Sequence, residues 1–208
     1  MSEKLEFYGD SISGNCYKMQ LAGAELNIDY EWHEMDILAG DARTPGFLAK
    51  NPNGKVPLMV LPDGSCLSES NAILTYLADG TNLRGAGRWG RSKVMQWLFF
   101  EQYSHEPFIA TSRFIVKYLG NPADRQEELA AKKPGGYKAL AVMEQALGMS
   151  EFLANNEFSI ADIALYAYTH VAHEGGFELG DYPAVRDWLR RIEARPCYVP
   201  MRAASTGH

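Results

Sequence analysis

The stretch that decides the fold covers residues 51–73 and reads NPNGKVPLMVLPDGSCLSESNAI. The apolar run of residues 58–61 is followed by Pro62-Asp63-Gly64, which predicts a turn because proline fixes φ and glycine admits a positive φ. Residues 65–68 then predict the return strand of a hairpin, and residues 69–78 predict a helix. This stretch therefore predicts a strand hairpin that leads directly into a helix.

Upstream of the hairpin, strand patterns and helix patterns alternate. Residues 5–8 form a short β-prone run, and Cys16 and Met19 begin a pattern at helical spacing that continues to residue 26. Residues 30–32 alternate as a half-buried strand does, and Phe47 marks a short helix. The order β-α-β-α-β-β-α predicts one small α/β layer structure.

Downstream, residues 80–90 are rich in Gly, Asn and Arg and predict a linker. Every later pattern is helical, with apolar faces that begin at Val94, Ala139, Ile160 and Val185. We therefore expect an α/β domain over residues 1–79 and an all-helical domain over residues 91–208.

Composition excludes several classes of protein. The chain has 208 residues, with 20 Lys and Arg against 26 Asp and Glu, so its net charge of −6 argues against a nucleic-acid or anionic-membrane partner. No stretch approaches the roughly 18 apolar residues of a membrane-spanning helix, and no signal peptide precedes the first strand, so we expect a cytoplasmic protein. Cys16, Cys66 and Cys197 show no CxxC spacing, which predicts reduced thiols and neither a disulfide framework nor a zinc site.

The α/β half has a candidate binding site at the start of its last predicted helix, next to the hairpin. At residues 68–71 the unpaired first-turn amides can bind a carboxylate and Glu69 can bind an ammonium, which suits the α-amino acid end of a small molecule. A plain cap by Ser68 or Ser70 is the alternative. The Val56-Pro57 bond, directly before the hairpin, can be cis and present the Val56 backbone to a ligand. The alternative is an ordinary trans proline at the edge of the sheet, but the surrounding motif favours the cis form.

The loop of residues 11–16 carries hydroxyl and amide donors at the start of the first helix. Such donors can stabilise a bound thiolate, and lowering a thiol pKa from about 8.5 to about 6.5 needs roughly 2.7 kcal/mol. Cys16 is a competing nucleophile, but its position on an apolar helix face favours a packed side chain.

Three features of the helical half are further candidates for structural or binding roles. Ser159 and Asp162 have the spacing of a capping box. His170, His173 and Glu174 share a face, but without a further ligand they favour a structural or solvated group over a metal site. Tyr103 and Arg113 are candidates for the lining of an apolar substrate pocket between the two expected domains.

Several of these motifs together resemble the cytosolic glutathione S-transferases, most closely the bacterial members. They are YGDS at 8–11, SGNCYK at 13–18, NPNGKVP at 51–57, LSESNAI at 67–73 and FSIAD at 158–162. They occur in the order of that family and span nearly the whole chain.

The resemblance implies a thioredoxin-like α/β N-terminal domain, an all-α C-terminal domain, a homodimer, glutathione as co-substrate and a role in detoxification, with no metal. It implies that the Val56 backbone pairs with the cysteinyl part of glutathione. Glu69 and Ser70 would hold the γ-glutamyl end, and Lys55 would lie near the glycyl carboxylate.

Members of the family activate the thiol with Tyr, Ser or Cys in the first loop, and some bacterial members use Thr or Asn. We expect Ser13 to stabilise the thiolate with help from Asn15, and rank Ser11 next, before Tyr8 and Cys16. Asn71 departs from the serine classes that carry arginine there, so a cation near the γ-glutamyl carboxylate is missing from the motif.

The leading hypothesis is a glutathione transferase that directs the thiolate at a hydrophobic electrophile. Two alternatives remain open at this point. One is a glutathione-dependent disulfide or peroxide reductase, and the other is a non-catalytic ligand-binding or interaction protein on the same fold.

Overall fold

The computed structural model describes residues 4–202, which form two compact units. The first contains residues 4–79 together with 196–202, and the second contains residues 80–195. The segment predicted as a linker, residues 80–90, groups with the second unit, where it forms the 3₁₀ helix Asn82–Arg84 and begins a long helix. Residues 196–202 group with the first unit, and the Tyr17 hydroxyl donates to the Val199 carbonyl across 2.6 Å.

The first unit is a four-stranded mixed sheet with three helices, as the sequence predicts. Its strands lie in the order β2-β1-β3-β4, with β1 parallel to β2, antiparallel to β3, and β3 antiparallel to β4. The strands are β1 (Leu5–Gly9), β2 (Tyr30–Glu34), β3 (Leu58–Val60) and β4 (Cys66–Ser68), and the helices are α1 (Gly14–Glu25), α2 (Pro45–Lys50) and α3 (Ser70–Leu77).

Strand alternation divides the apolar residues of the sheet between its two faces. Leu58 and Val60 cluster with Phe47 of α2, and Tyr8 packs against the same cluster. Phe7 pairs with Met59, both fully buried, on the opposite face, where α1 and α3 pack against each other.

The directions of the strands determine where the site can form. Because β1 and β4 are both antiparallel to β3, they end at the edge of the sheet at which β3 begins. The first turn of α1 follows β1 and the first turn of α3 follows β4. Both helix starts and the Val56-Pro57 segment therefore lie at one edge of the sheet.

All the regular elements of the second unit are helices. Its main helices are α4 (Gly87–Phe100), α5 (Glu106–Arg113), α6 (Gln126–Leu147), α7 (Ile160–Thr169) and α8 (Pro183–Glu193), with π-helical turns at Glu101–His105 and Phe114–Tyr118. Every residue of α7 is buried. The predicted capping box is confirmed, since the Ser159 hydroxyl accepts from the Ala161 amide and the Asp162 carboxylate accepts from the Ser159 amide.

Helix α6 is longer than its sequence pattern indicates. The apolar periodicity marks only residues 139–147, because Pro134 and two glycines interrupt it earlier. The glycines are packing sites: a Cβ on Gly135 would lie 2.3 Å from the Phe108 ring, and one on Gly136 would lie 2.3 Å from the Phe177 ring. Aromatic rings from outside α6 therefore pack against the two positions at which glycine interrupts its apolar periodicity.

Across residues 4–202, no helix combines the length and the apolar character that a membrane span requires.

Candidate functional site

The loop between β1 and α1 places the Ser13 side chain at the start of the helix, beside the Cys16 thiol. Ser13 is the N-cap residue of α1, yet its side chain accepts no capping hydrogen bond. The loop is stabilised by the buried Asp10, whose carbonyl accepts from the Ser13 amide at 3.0 Å and whose carboxylate accepts from the Ile12 amide at 2.9 Å. The hydroxyl of Ser13 therefore stands beside first-turn amides that it does not cap.

Cys16 lies one turn further into α1 and is fully buried. Burial raises the pKa of its thiol to about 12, although a hydrogen bond from the Ser13 side chain acts in the opposite direction. A thiol with so high a pKa is scarcely ionised at neutral pH. These observations favour the packed role over the nucleophilic one.

Tyr8 is engaged away from the α1 start. Its hydroxyl donates to the Glu6 carboxylate at 2.9 Å and accepts from Lys50 Nζ at 2.8 Å. Its ring stacks on His33 with centroids 4.4 Å apart, on the α2 side of the sheet. The one hydroxyl hydrogen is therefore committed to a carboxylate, which argues against Tyr8 as the donor to a ligand sulfur.

The second helix start, at α3, has an unusual backbone. Glu69 is its N-cap residue, with φ 70° and ψ 111°, and makes no side-chain capping bond. This conformation is costly for a residue with a Cβ and is typical of functional sites. Neither Ser68 nor Ser70 acts as the N-cap, so the capping alternative for these serines does not hold.

Ser70 is almost completely buried and connects the two helix starts. Its hydroxyl donates to Asn15 Oδ1 at 3.2 Å and accepts from Lys18 Nζ at 3.1 Å. Lys18 Nζ also donates to Asn71 Oδ1 at 3.2 Å. The structure thus brings Asn15 of the first turn of α1 and Ser70 of the first turn of α3 into one hydrogen-bonded group.

Sequence reasoning missed Lys18, which supplies a cation beside Asn71. Residues 16–23 of α1 are all buried, and Lys18 is the one charged residue among them. A lone charge inside a buried helical run needs nearby polar partners, but the sequence shows only that Lys18 lies among apolar residues and not which groups surround it.

The segment before β3 completes the edge. The Val56-Pro57 peptide is cis, as predicted. Buried Asn51 shapes the turn, because its side-chain amide donates to the Lys55 carbonyl at 2.7 Å and its Oδ1 accepts from the Asn53 amide at 3.2 Å. Lys55 itself is exposed.

In the second unit, Tyr103 and Arg113 have different surroundings. Tyr103 is 86% exposed and borders an apolar cavity of about 500 Å³, lined with it by Phe100, Phe108, Gly135, Lys138 and Val142, among others. Arg113 does not line this cavity. It is buried, and its Nε lies 2.6 Å from the Glu174 carboxylate, to which Lys117 also binds at 2.9 Å.

His170 shows the signs of a structural residue. Its Nδ1 lies 2.8 Å from the Tyr166 carbonyl, its ring stacks on the Tyr166 ring, and burial lowers its pKa to about 4. Glu174 is held by Arg113 and Lys117. Among residues 4–202, no three His, Cys, Asp or Glu side chains come together as ligands for a metal ion.

Comparison with known proteins gives consistent matches over both units. The family model for the glutathione S-transferase N-terminal domain matches residues 12–79, and the model for the C-terminal domain of the same family matches residues 98–196. A crystal structure of a glutathione S-transferase from Pseudomonas fluorescens is 54% identical, with a TM-score of 0.93 over 95% of this chain and 98% of that one.

Two further matches are to proteins with different named activities. The disulfide-bond oxidoreductase YfcG of Escherichia coli is 30% identical over 191 residues, which is 88% of this chain and 87% of that protein. The glutathione transferase URE2P6 from Phanerochaete chrysosporium, solved in complex with oxidized glutathione, is 23% identical with a TM-score of 0.84 over 94% of this chain and 93% of that one. At that identity the likeness shows the fold alone.

Proposed function

This chain belongs to the glutathione S-transferase family, and from that premise we propose that it binds glutathione at the edge of its sheet and ionises the thiol for attack on a hydrophobic electrophile. The observation that carries the proposal is the meeting of three separate motifs at one edge. The α1 start, the Val56-Pro57 segment and the α3 start reach it because β1 and β4 end where β3 begins.

At the thiol end, Ser13 is proposed to donate to the glutathione sulfur with the support of Asn15. The Ser13 hydroxyl makes no capping bond, and its partner is the Cys16 thiol, a weak acceptor that a sulfur anion can displace. The first-turn amides of α1 add the positive end of the helix dipole. A charge-assisted hydrogen bond and a helix start together match the roughly 2.7 kcal/mol needed to lower a thiol pKa by about two units.

At the γ-glutamyl end, Glu69 and Ser70 are proposed to bind the ammonium and the carboxylate. Glu69 is exposed and makes no capping bond, so its carboxylate is available to a ligand ammonium. The Ser70 amide opens the first turn of α3, where carboxylates are favoured. Between the two ends, the Val56 backbone is proposed to pair with the cysteinyl residue and Lys55 to lie near the glycyl carboxylate.

The test is a titration of the protein with glutathione at neutral pH, followed by its ultraviolet thiolate absorbance and by conjugation to an aryl halide. We expect both signals in the natural chain and a strong loss of both in Ser13→Ala. The absence of thiolate absorbance and of conjugation would contradict the transferase proposal. Failure to bind immobilised glutathione as well would favour the non-catalytic alternative.

A second candidate activity is glutathione-dependent disulfide reduction. It is favoured by the relative named as a disulfide-bond oxidoreductase, which matches 88% of this chain. In this reaction the bound thiolate attacks a disulfide sulfur, forms a mixed disulfide with it and releases the other sulfur as a thiolate. Comparison of the rates with an aryl halide and with a small glutathione-reducible disulfide shows which activity dominates.

For the helical unit, we propose that an exposed apolar face is covered by a second copy of the chain. Met95, Phe99 and Tyr103 follow one another at intervals of four residues, and Val142 of α6 is also exposed. Exposed apolar patches of this kind mark contact surfaces. Tyr103 as a substrate contact is the competing proposal. Tyr103→Ala distinguishes the two, because loss of an interface lowers the mass in solution whereas loss of a substrate contact raises the KM for the electrophile.

A further inference from the structure

Two side chains of strand β2 contact the chain segment that leads to Ser13. Trp32 and Glu34 are two residues apart, so strand alternation places them on the same face of β2. The Trp32 ring lies against the end of β1, where a Cβ on Gly9 would be 2.8 Å from its Cη2 atom. The Glu34 carboxylate accepts from the Ser11 amide at 2.7 Å, in the loop between β1 and α1.

The Glu34 carboxylate is held at both of its oxygens. Oε1 accepts from the Ser11 amide, and Oε2 accepts from Trp32 Nε1 at 2.8 Å. Hydrogen bonds to an ionised acceptor are stronger than those between neutral groups. Although Glu34 is an exposed residue, its side chain therefore has one orientation, and the loop is anchored to β2.

The amides of this loop donate to protein oxygens. The Ile12 and Ser13 amides donate to Asp10, which belongs to the loop itself, and the Ser11 amide donates to Glu34, which belongs to another strand. The donors proposed for the glutathione sulfur are the Ser13 hydroxyl and the first-turn amides of α1. Their positions depend on how the loop before them is held.

On the basis of the proposed glutathione site, we propose that Glu34 is a positioning residue for the thiolate. Oriented by Trp32, it holds the Ser11 amide, and through the loop it holds the Ser13 hydroxyl in place for the glutathione sulfur. Glu34 does not itself contact the sulfur in this role.

The charge of Glu34 acts in the direction opposite to positioning. Burial is the main cause of the raised pKa of the Cys16 thiol, and the negative charges of Asp10 and Glu34 add to it. The same charge disfavours a glutathione thiolate held nearby. Since the carboxylate is exposed, water and salt screen this effect, and the positioning effect exceeds it. Removal of Glu34 therefore raises the pKa of the bound thiol if positioning dominates and lowers it if charge dominates.

The test follows the ultraviolet thiolate absorbance of bound glutathione against pH in the natural chain and in Glu34→Ala. We expect the pKa of the bound thiol to rise by about one in the variant, as for the loss of one hydrogen bond to the anion. On the acidic side of the profile, where the thiolate is the minor form, the conjugation rate should fall by about tenfold. The midpoint of the titration does not depend on the fraction of protein that is folded.

Two further variants separate the contacts of β2. Trp32→Phe keeps a ring against Gly9 and removes the Nε1 donor, so it should raise the pKa of the bound thiol by less than Glu34→Ala does. Combined with Glu34→Ala it should add no further rise, and an additive rise would overturn the action of Trp32 through Glu34. Glu31→Ala is the matched control, because it removes an exposed glutamate from the other face of β2, 3.6 Å from His33, and it should leave the pKa unchanged.

The role of Glu34 would be overturned by a bound-thiol pKa that falls or stays the same in Glu34→Ala, or that rises equally in Glu31→Ala. A natural chain that shows no thiolate absorbance with glutathione would instead overturn the thiolate site, and the role of Glu34 with it.

Discussion

The Ser70 hydroxyl donates a hydrogen bond to the Asn15 side-chain oxygen across 3.2 Å, although the two residues are 55 positions apart. Asn15 belongs to the first turn of α1, which is proposed to hold the sulfur of glutathione, and Ser70 to the first turn of α3, which is proposed to hold the γ-glutamyl end. A direct hydrogen bond therefore joins the two regions of the protein that are proposed to bind the two ends of glutathione. A substitution in one region should change the binding contribution of the other.

Substitutions of Asn15 and Ser70 should consequently not be additive. We expect Asn15→Ala and Ser70→Ala each to lower kcat/KM for glutathione, and the double variant to lose less than the sum of the two in free energy, by about 1 kcal/mol. The measurement is a double-mutant cycle of conjugation rates at subsaturating glutathione. As a control, Ser70→Ala combined with Lys4→Met should be additive, and additivity of the Asn15 pair would show that the observed bond has no energetic consequence.

Ser13 and Ser11 should differ in their effect on the thiol. Removal of the Ser13 hydroxyl should raise the pKa of bound glutathione and lower kcat/KM by about 10- to 100-fold, because one donor to a sulfur anion is lost. Ser11→Ala should change either quantity only slightly, since it is the Ser11 backbone that is anchored, by its amide to Glu34 Oε1 at 2.7 Å. The pH dependence of the thiolate absorbance checks both variants, and a larger effect of Ser11→Ala would exchange their roles.

Glu69 should show opposite effects on stability and on binding. Its φ of 70° costs free energy for any residue with a Cβ, so Glu69→Gly should raise the free energy of unfolding by about 1 kcal/mol. The same change removes the carboxylate proposed for the ligand ammonium and should weaken glutathione binding. Glu69→Gln separates the two effects: it keeps the backbone cost, leaves stability unchanged and still weakens binding. Urea unfolding and glutathione titration of both variants test this. A free energy of unfolding lower than that of the natural chain in Glu69→Gly would contradict a backbone cost at this position.

Local patterns were sufficient to predict the elements of the first unit. Pro62-Asp63-Gly64 forms the expected turn, with Gly64 at φ 87° and the Leu61 amide bound to the Ser65 carbonyl. The start of α6 was not predictable in this way, because Gly135 and Gly136 interrupt its periodicity. The reason for their presence, the packing of Phe108 and Phe177, is tertiary.

The candidate site was predictable where the chemistry is local to a motif and hidden where it crosses between motifs. Ser13 and Glu69 each stand at a helix start that the sequence marks. The position of Lys18 below Ser70 depends on the packing of α1 against α3, which no periodicity specifies. For the same reason the burial of Arg113 against Glu174 could not be predicted from their spacing.

The three thiols should react with different rates. Cys66 and Cys197 are exposed, whereas Cys16 is buried with a pKa raised to about 12. A thiol reagent at neutral pH should therefore modify Cys66 and Cys197 in the native protein and reach Cys16 only after denaturation, because the thiolate is the reactive form. Cys16→Ala should leave unchanged the number of thiols that react in the native protein, and the variant should retain conjugation activity. Rapid modification of Cys16 in the folded protein, with loss of activity, would restore it as a nucleophile.

His170 should make the second unit sensitive to acid. Burial lowers its pKa from 6.5 to about 4, so its contribution to stability is complete above the unfolded value and is lost as the pH falls from there toward the folded value. Between about pH 7.5 and about pH 5 the loss amounts to roughly 2 kcal/mol. Asp162 acts in the opposite direction over part of this range, because burial raises its pKa to about 6, but it is present in every variant compared.

The test uses His170→Phe, which retains a ring to stack on Tyr166 and removes the titration. The unfolding free energy of this variant should fall less on acidification than that of the natural chain. The exposed His173, changed to Gln, should leave the natural pH dependence intact, and equal acid sensitivity of all three proteins in urea unfolding would refute the assignment.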